Sequence, residues 1–75
     1  MSSEATYGQN LVRLNPMDTP PVFEIKKRYS QIIDLLTDAR TSMSTGHSET
    51  MRHLSIAITE AENACMWAVK AVTAQ

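Results

Sequence analysis

Two parts of the sequence carry side chains that could hold a phosphate or stack on an aromatic ring, and the first is Lys26-Lys27-Arg28, the densest positive run. Lysines beside the start of a helix add to the attraction that its free amides exert on a phosphate. The alternative is a solvated helix face on which Glu24 pairs with Arg28, four residues further on. The sequence leaves both interpretations open.

The second part is a row of side chains at helical spacing. Its members are Ile56, Glu60, Asn63, Trp67 and Lys70. A tryptophan can stack on a base, an amide can recognise the base edge and a lysine can neutralise the phosphate. The competing interpretation is that Trp67 is buried in the core.

Tyr7, near the amino terminus, is a further aromatic candidate. It is followed by Gly8 and by the polar pair Gln9-Asn10, which is unusual for a simple tether. We interpret this segment as a lid in which Tyr7 stacks on a base, with Asn10 beside it.

Enzymatic and metal-binding constellations are not evident. His47, His53 and Cys65 lack the spacing of a zinc site. Two glycines do not provide a phosphate-binding loop. Cys65 falls on an apolar helix position, where a cysteine is typically an inert small hydrophobe. We therefore expect neither an enzyme, nor a metal, nor a cofactor.

Hydrophobic periodicity predicts two long helices that position these residues. The first stripe has spacings of 3 and 4 in strict alternation and comprises Val22, Ile25, Tyr29, Ile32, Leu36, Ala39 and Met43. The second repeats that rule with Met51, Leu54, Ile58, Ala61, Cys65, Ala68 and Val72. The predicted helices span about residues 21–44 and 49–73, joined by a turn at 45–48 that contains Gly46. Asp18 or Thr19 can cap the first helix and Ser48 the second.

The predicted fold is all-α, an antiparallel two-helix hairpin over residues 21–75 preceded by an arm over residues 1–20. Gly8, Asn15-Pro16 and the prolines at 20–21 predict an irregular arm. Leu11, Val12 and Leu14 within it are too apolar to stay in water. We expect the arm to be ordered against the hairpin or against a neighbouring chain.

A single hairpin leaves much apolar surface uncovered. The side chains outside the two stripes are Phe23, Ile33, Leu35, Ile56, Met66, Trp67 and Val69, and a row of small residues follows α-helical spacing at Ala57, Ala61, Ala64, Ala68 and Ala71. Exposing several of the large side chains would forgo about 1.5 to 3 kcal/mol each. We therefore predict that the chain assembles into a helical homo-oligomer.

Length, charge and cysteine content exclude several classes of protein. Seventy-five residues form one small domain. The net charge of −1 argues against a protein that coats DNA or RNA. One cysteine cannot form an intrachain disulfide, and no apolar run is long enough to span a bilayer. These observations predict a cytoplasmic protein without membrane or DNA partners.

Several segments of the predicted helices resemble those of the phage anti-CBASS cyclic-oligonucleotide sponge family. They are Ile25-Lys26, Ile33-Asp34-Leu35-Leu36, Ala57-Ile58-Thr59-Glu60-Ala61 and, above all, Met66-Trp67-Ala68-Val69-Lys70-Ala71. The resemblance covers about residues 20–74. The same hairpin also forms the helical part of one group of phage Thoeris inhibitors.

The resemblance implies a homohexamer of hairpins that holds cyclic dinucleotides, such as cyclic GMP-AMP, between subunits. In some members, separate sites hold cyclic trinucleotides such as cyclic tri-AMP. Lys26 resembles the family's phosphate-binding lysine, Tyr7 resembles its stacking arm tyrosine, and Lys70 falls at a basic position used for trinucleotides. Such a protein sequesters the messenger intact in the cytoplasm of the infected bacterium and keeps an immune effector silent.

Three alternatives remain. The apolar faces could dock a host helix, which would make the protein an inhibitory interaction module. The ligand could be the cyclised ADP-ribose of Thoeris, although the sheet domain of those inhibitors has no counterpart in this sequence. The weakest alternative is an enzyme that degrades the messenger.

Overall fold

The computed structural model describes residues 4–43 and 48–74, and helices are the only regular secondary structure within those ranges. Helix α1 spans Tyr7–Val12, α2 spans Pro20–Ser42 and α3 spans Ser48–Thr73. Helices α2 and α3 pack along one another, and α1 lies mainly on α2. Of the predicted turn at residues 45–48, residues 45–47 lie outside the described residues, and Ser48 is the first residue of α3.

Helix α2 begins close to the predicted position. Thr19 is its N-cap residue, and Pro20 and Pro21 occupy the first turn, where a missing amide donor costs nothing. The Thr19 side chain makes no capping hydrogen bond. Further along, the predicted pair between Glu24 and Arg28 is present at 2.8 Å, and this hydrogen bond lowers the pKa of the Glu24 carboxyl.

The expectation that residues 1–20 are irregular is wrong for its central part, where α1 forms. A capping box holds its start, because Thr6 Oγ1 accepts from the Gln9 amide while Gln9 Oε1 accepts from the Thr6 amide. Six residues are too few to show a period, so the sequence pattern did not reveal this helix. The helix ends at Arg13, whose backbone is left-handed with φ 58° and ψ 51°.

The core is formed by all three helices. Its buried members are Val12, Ile33, Ile58 and Cys65, and the partly buried side chains against it include Leu11, Leu14, Ile25 and Val69. The expectation that the apolar residues of the arm pack against the hairpin is confirmed. Burial of Cys65 within the core is confirmed as well.

Three positions of the predicted stripes are exposed; besides Ile32, they are Met43, at 47%, and Val72, at 43%. Ile33 is fully buried, whereas Ile32, which the stripe placed in the core, is 46% exposed. Helix α2 is covered by α3 on one side and by α1 on another, and Gly8 of α1 lies close to the backbone of Ser30. This second contact moves the buried face of α2 toward Ser30 and Ile33, beyond what a two-helix pattern anticipates.

Candidate functional site

A groove lies between the arm and the carboxyl-terminal half of α3, with a volume of about 410 Å³. We call it the arm groove. It is lined by Leu11, Val12, Arg13, Lys26, Glu62, Asn63, Cys65, Met66, Val69 and Lys70. An apolar floor with three cationic side chains around it is the composition expected of a pocket for an anionic organic ligand.

Lys26 is held firmly within this groove. Its Nζ donates to the Arg13 carbonyl at 3.0 Å and to Asp18 Oδ2 at 3.1 Å. The side chains of Lys26 and Asp18 are only 16% and 18% exposed. An ammonium group has three donor hydrogens. These two bonds leave one hydrogen for another acceptor.

A compact turn presents Asp18 to Lys26. Asn15 Oδ1 accepts from the Met17 amide at 2.8 Å, and the Asn15 carbonyl accepts from the Asp18 amide at 2.9 Å. In return, the Asn15 amide donates to Asp18 Oδ2 at 3.2 Å. Asparagine and aspartate form such turns because their short side chains reach neighbouring amides. The turn that Asn15-Pro16 predicted is therefore present.

Lys70 joins the arm groove to an exposed aromatic surface. Its Nζ lies 5.2 Å from the centroid of the Trp67 ring, within the range of a cation–π interaction. Trp67 is 63% exposed, so the alternative that it belongs to the core is wrong for this chain. The exposed side chains of Met66, Trp67 and Lys70 form what we call the Trp67 face.

The remaining predicted residues lie elsewhere. Tyr7 opens α1 and is 49% exposed, and Lys27 is exposed on α2; neither lines the arm groove. Asn10 lines a second groove, of about 530 Å³, together with Ala5, Gln9, Arg13, Leu14, Pro16 and Phe23. Of the six predicted site residues, the structure therefore brings Lys26 and Lys70 to one groove, places Trp67 beside it and leaves the other three apart.

Arg13 is a candidate residue that the sequence analysis missed. It lines both grooves, and its carbonyl accepts from Lys26. The left-handed conformation at this position is usually taken by glycine or asparagine. The only signal in the sequence was a basic residue directly after the apolar pair Leu11-Val12, which by itself does not indicate a site.

Gly8 fixes where the arm sits. Its amide donates to Asp34 Oδ1 at 2.7 Å, which satisfies one of the unpaired donors at the start of α1. A Cβ added at Gly8 would collide with the Ser30 carbonyl oxygen and would lie 2.7 Å from Asp34 Oδ1. The missing side chain thus allows α1 to touch the backbone of α2.

Cys65 lines the groove but is poorly suited to chemistry. Burial raises the pKa of its thiol, and the positive charge of Lys26 opposes that shift only in part. A thiol with a raised pKa is a weak nucleophile at neutral pH. Among residues 4–43 and 48–74 there is no cluster of three or more potential metal ligands; His47 lies outside that set. No helix within those ranges is long and apolar enough to cross a bilayer.

A family model matches residues 22–73, and its description is the Acb2/Tad1 hairpin domain. The chain belongs to this family. The resemblance inferred from the helix motifs is therefore confirmed. The Acb2/Tad1 hairpin family is known for phage anti-defence sponges, which act by binding rather than by catalysis. No curated protein and no solved structure gives a significant match.

The Acb2/Tad1 match divides the candidate residues into two groups. Lys26, Lys27, Trp67 and Lys70 lie within the matched hairpin. Tyr7, Asn10, Arg13 and Asp18 lie before it. The part that these arm residues play must therefore be argued from their geometry in this chain.

Proposed function

We propose that this protein binds cyclic di- or trinucleotide messengers, such as cyclic GMP-AMP or cyclic tri-AMP, and sequesters them intact. In the cytoplasm of an infected bacterium, this would keep a CBASS effector silent. The observation that carries the proposal is the convergence of Lys26 and Lys70, both within the Acb2/Tad1 hairpin, on one apolar-floored groove.

Local charge supports an anionic ligand although the whole chain carries a net charge of −1. Arg13, Lys26 and Lys70 outnumber Glu62, the one carboxylate that lines the arm groove. The unengaged hydrogen of Lys26 can be donated to a phosphate oxygen in a charge-assisted hydrogen bond. The Arg13 guanidinium can add a two-pronged contact. A cyclic dinucleotide carries two negative charges, which this small number of cations can neutralise.

Base stacking requires aromatic side chains that one chain does not bring to the groove. Tyr7 and Trp67 are both exposed. Other large exposed apolar side chains are Met17, Ile32, Leu35, Met43, Ile56, Met66 and Val72. We therefore place the ligand between subunits of a homo-oligomer, a hexamer as the family resemblance implies, in which Tyr7 or Trp67 of one subunit stacks on a base held by the groove of another.

Calorimetry with cyclic GMP-AMP and cyclic tri-AMP tests the proposal directly. Each should bind to the full chain, and the nucleotide released by heating should have its original mass. Lys26→Met should weaken binding about tenfold or more, because a charge-assisted hydrogen bond is lost while the apolar stem is kept. Cyclic ADP-ribose belongs in the same panel, since it is the alternative ligand.

Arg28→Met is the matched control for Lys26→Met. It removes one positive charge from the same helix, but Arg28 pairs with Glu24 on an exposed face and does not line the arm groove. It should bind the nucleotides like the wild-type chain. Circular dichroism of both variants checks that helicity is kept. Failure of the wild-type chain to bind either cyclic GMP-AMP or cyclic tri-AMP would refute the proposed function, and binding of cyclic ADP-ribose alone would favour the alternative ligand.

A second candidate function is supported by the Trp67 face. An exposed tryptophan beside Met66 and Lys70 has the composition of a protein-interaction hot spot. An interaction module that inhibits a host protein would retain one partner at equal stoichiometry. Its melting temperature would not respond to added cyclic nucleotides, which separates this function from sequestration.

A further inference from the structure

The ion pair between Lys26 and Asp18 is unlike the other salt bridges within the described ranges. Its two side chains are 16% and 18% exposed, whereas those of Arg28 and Glu24 are 71% and 51% exposed. Exposed pairs along one helix are screened by water and contribute little. The Lys26–Asp18 pair is sheltered and joins the arm to the hairpin, so its charges interact more strongly.

Asp18 is held beside Lys26 by the Asn15–Asp18 turn and does not rely on Lys26 alone. The Asn15 amide donates to the same oxygen, Oδ2, that accepts from Lys26. The carboxylate therefore keeps a hydrogen-bond partner when Lys26 moves. A fixed carboxylate in this place competes with any phosphate for the Lys26 ammonium.

We propose that Asp18 is an affinity-setting residue that lowers the affinity of the arm groove for anionic nucleotides, and that ligand binding moves Lys26 away from it. This inference rests on the proposed function. A phosphate oxygen on the third hydrogen of the ammonium would lie about 5 Å from Asp18 Oδ2, from ordinary hydrogen-bond lengths around a tetrahedral nitrogen. Like charges at that distance repel, so the phosphate gains most when Lys26 turns from Asp18 toward it.

The same carboxylate also anchors the arm. With Asp18 in place, Lys26 ties Arg13 and the Asn15–Asp18 turn to α2. Part of the binding capacity of Lys26 is thus used to keep the arm ordered while the groove holds no ligand. Asp18→Asn separates the two roles, because an amide oxygen still accepts from Asn15 and Lys26 but carries no charge.

The test is calorimetry of Asp18→Asn with cyclic GMP-AMP and cyclic tri-AMP. Because the charge of Asp18 no longer competes with the phosphate for the Lys26 ammonium, Asp18→Asn should lower the Kd about tenfold for the nucleotide that the wild-type chain binds. In the Lys26→Met variant, Asp18→Asn should give at most a small part of this gain in affinity. An unchanged or higher Kd for Asp18→Asn would overturn the inference, as would a full gain without Lys26.

Glu62→Gln is the matched control, because it removes a negative charge that lines the arm groove without breaking the Lys26–Asp18 pair. Its smaller gain in affinity should persist in the Lys26→Met background, since it does not depend on Lys26. If Glu62→Gln and Asp18→Asn behave alike in both backgrounds, general charge explains the effect and the inference is overturned.

A measurement on the wild-type chain covers the case in which Asp18→Asn does not fold. The carboxyl ¹³C resonance of Asp18 should shift when the bound nucleotide is added, while that of exposed Asp38 should not. Binding without a shift at Asp18 would overturn the inference and leave the proposed function intact. Absence of binding by the wild-type chain would remove both.

Discussion

We call the contacts of Gly8 with Asp34 and of Lys26 with Asp18 the arm junction, and this junction and the Trp67 face are built in opposite ways. At the junction, Gly8, Asp34, Lys26 and Asp18 satisfy one another through hydrogen bonds between separate elements. On the Trp67 face, the contact made by the large aromatic is with Lys70 of its own helix. The junction is therefore complete within one chain, whereas the face leaves apolar area in contact with water.

This difference shows which part of the molecule sets stability and which part is available for recognition. Sheltered hydrogen bonds between elements fix the arm, and their loss leaves polar groups without partners. Uncovered apolar surface adds nothing to the stability of the single chain but gains free energy when another molecule covers it. Substitutions on the two sides should therefore affect different measurements.

The largest expected effect is at Gly8. Gly8→Val forces a branched side chain against the Ser30 carbonyl and Asp34, and it should lower the free energy of unfolding by about 3 kcal/mol, at the upper end of overpacking costs. Thermal unfolding followed by circular dichroism measures this loss. Asn10→Val places the same residue type on the exposed side of α1 and should cost less than about 1 kcal/mol. Equal losses would mean that the close approach at Gly8 is unimportant.

Asp34 should have the next largest effect. Asp34→Ala removes the acceptor of the Gly8 amide and should cost about 1 to 2 kcal/mol, as for other part-buried donors left without a partner. Asp34→Asn keeps an acceptor and should recover part of the loss. Asp38→Ala, which removes an exposed aspartate one turn further along α2, is the control and should be nearly neutral. A neutral Asp34→Ala would show that water replaces the carboxylate.

The reactivity of the Cys65 thiol, which lines the arm groove, measures whether the arm is in place. Burial raises the pKa of its thiol, so iodoacetamide should alkylate the folded chain several-fold more slowly than the urea-unfolded chain at a pH of about 8.5, where an ordinary thiol is half ionised. Gly8→Val, by displacing the arm, should speed the reaction. A folded chain that reacts as fast as the unfolded chain would contradict burial of the thiol.

The same shift has a consequence for stability. The folded state binds the thiol proton more tightly than the unfolded state does. The resulting stabilisation of the folded chain is fully present at pH values below the pKa of the unfolded thiol. It is lost as pH rises through the raised folded pKa. The free energy of unfolding of the wild-type chain should therefore fall on the alkaline side more than that of Cys65→Ala, which has no such proton.

Trp67 should have the smallest effect on the stability of the single chain. Trp67→Ala should change the free energy of unfolding by less than about 0.5 kcal/mol at concentrations where sedimentation shows monomers. At higher concentration it should weaken self-association or nucleotide binding. Ile58→Ala, a buried position on the same helix, should cost about 2 to 4 kcal/mol. A large loss for Trp67→Ala in the monomer would mean that this face is covered within the chain.

Much of the hairpin could be predicted from local patterns. The prolines at 20–21 and the period of apolar residues predicted a helix start that the structure places at Pro20. The stripe on α3 correctly included Ile58 and Cys65 among the core residues. These features follow from spacing along one helix and need no knowledge of what packs against it.

The candidate site was predictable only in part. Lys26 and Lys70 were identified from charge and position, and the structure brings them to one groove. Arg13 was missed because its approach depends on where α1 ends, and α1 itself was too short to be recognised. Ile33 was missed because two helices, rather than one, cover α2 at that point. Each omission concerns a contact between residues far apart in the chain.

The sequence by itself determined two long amphipathic helices, an apolar cysteine position and a turn at Asn15. Local spacing, proline geometry and short-range hydrogen bonding are sufficient for each of these. Only the tertiary structure decided that Gly8 meets Asp34, 26 residues further along, and that Asp18 faces Lys26. Such contacts depend on how closely two helices approach, and that distance is set by packing between elements rather than by any period within one.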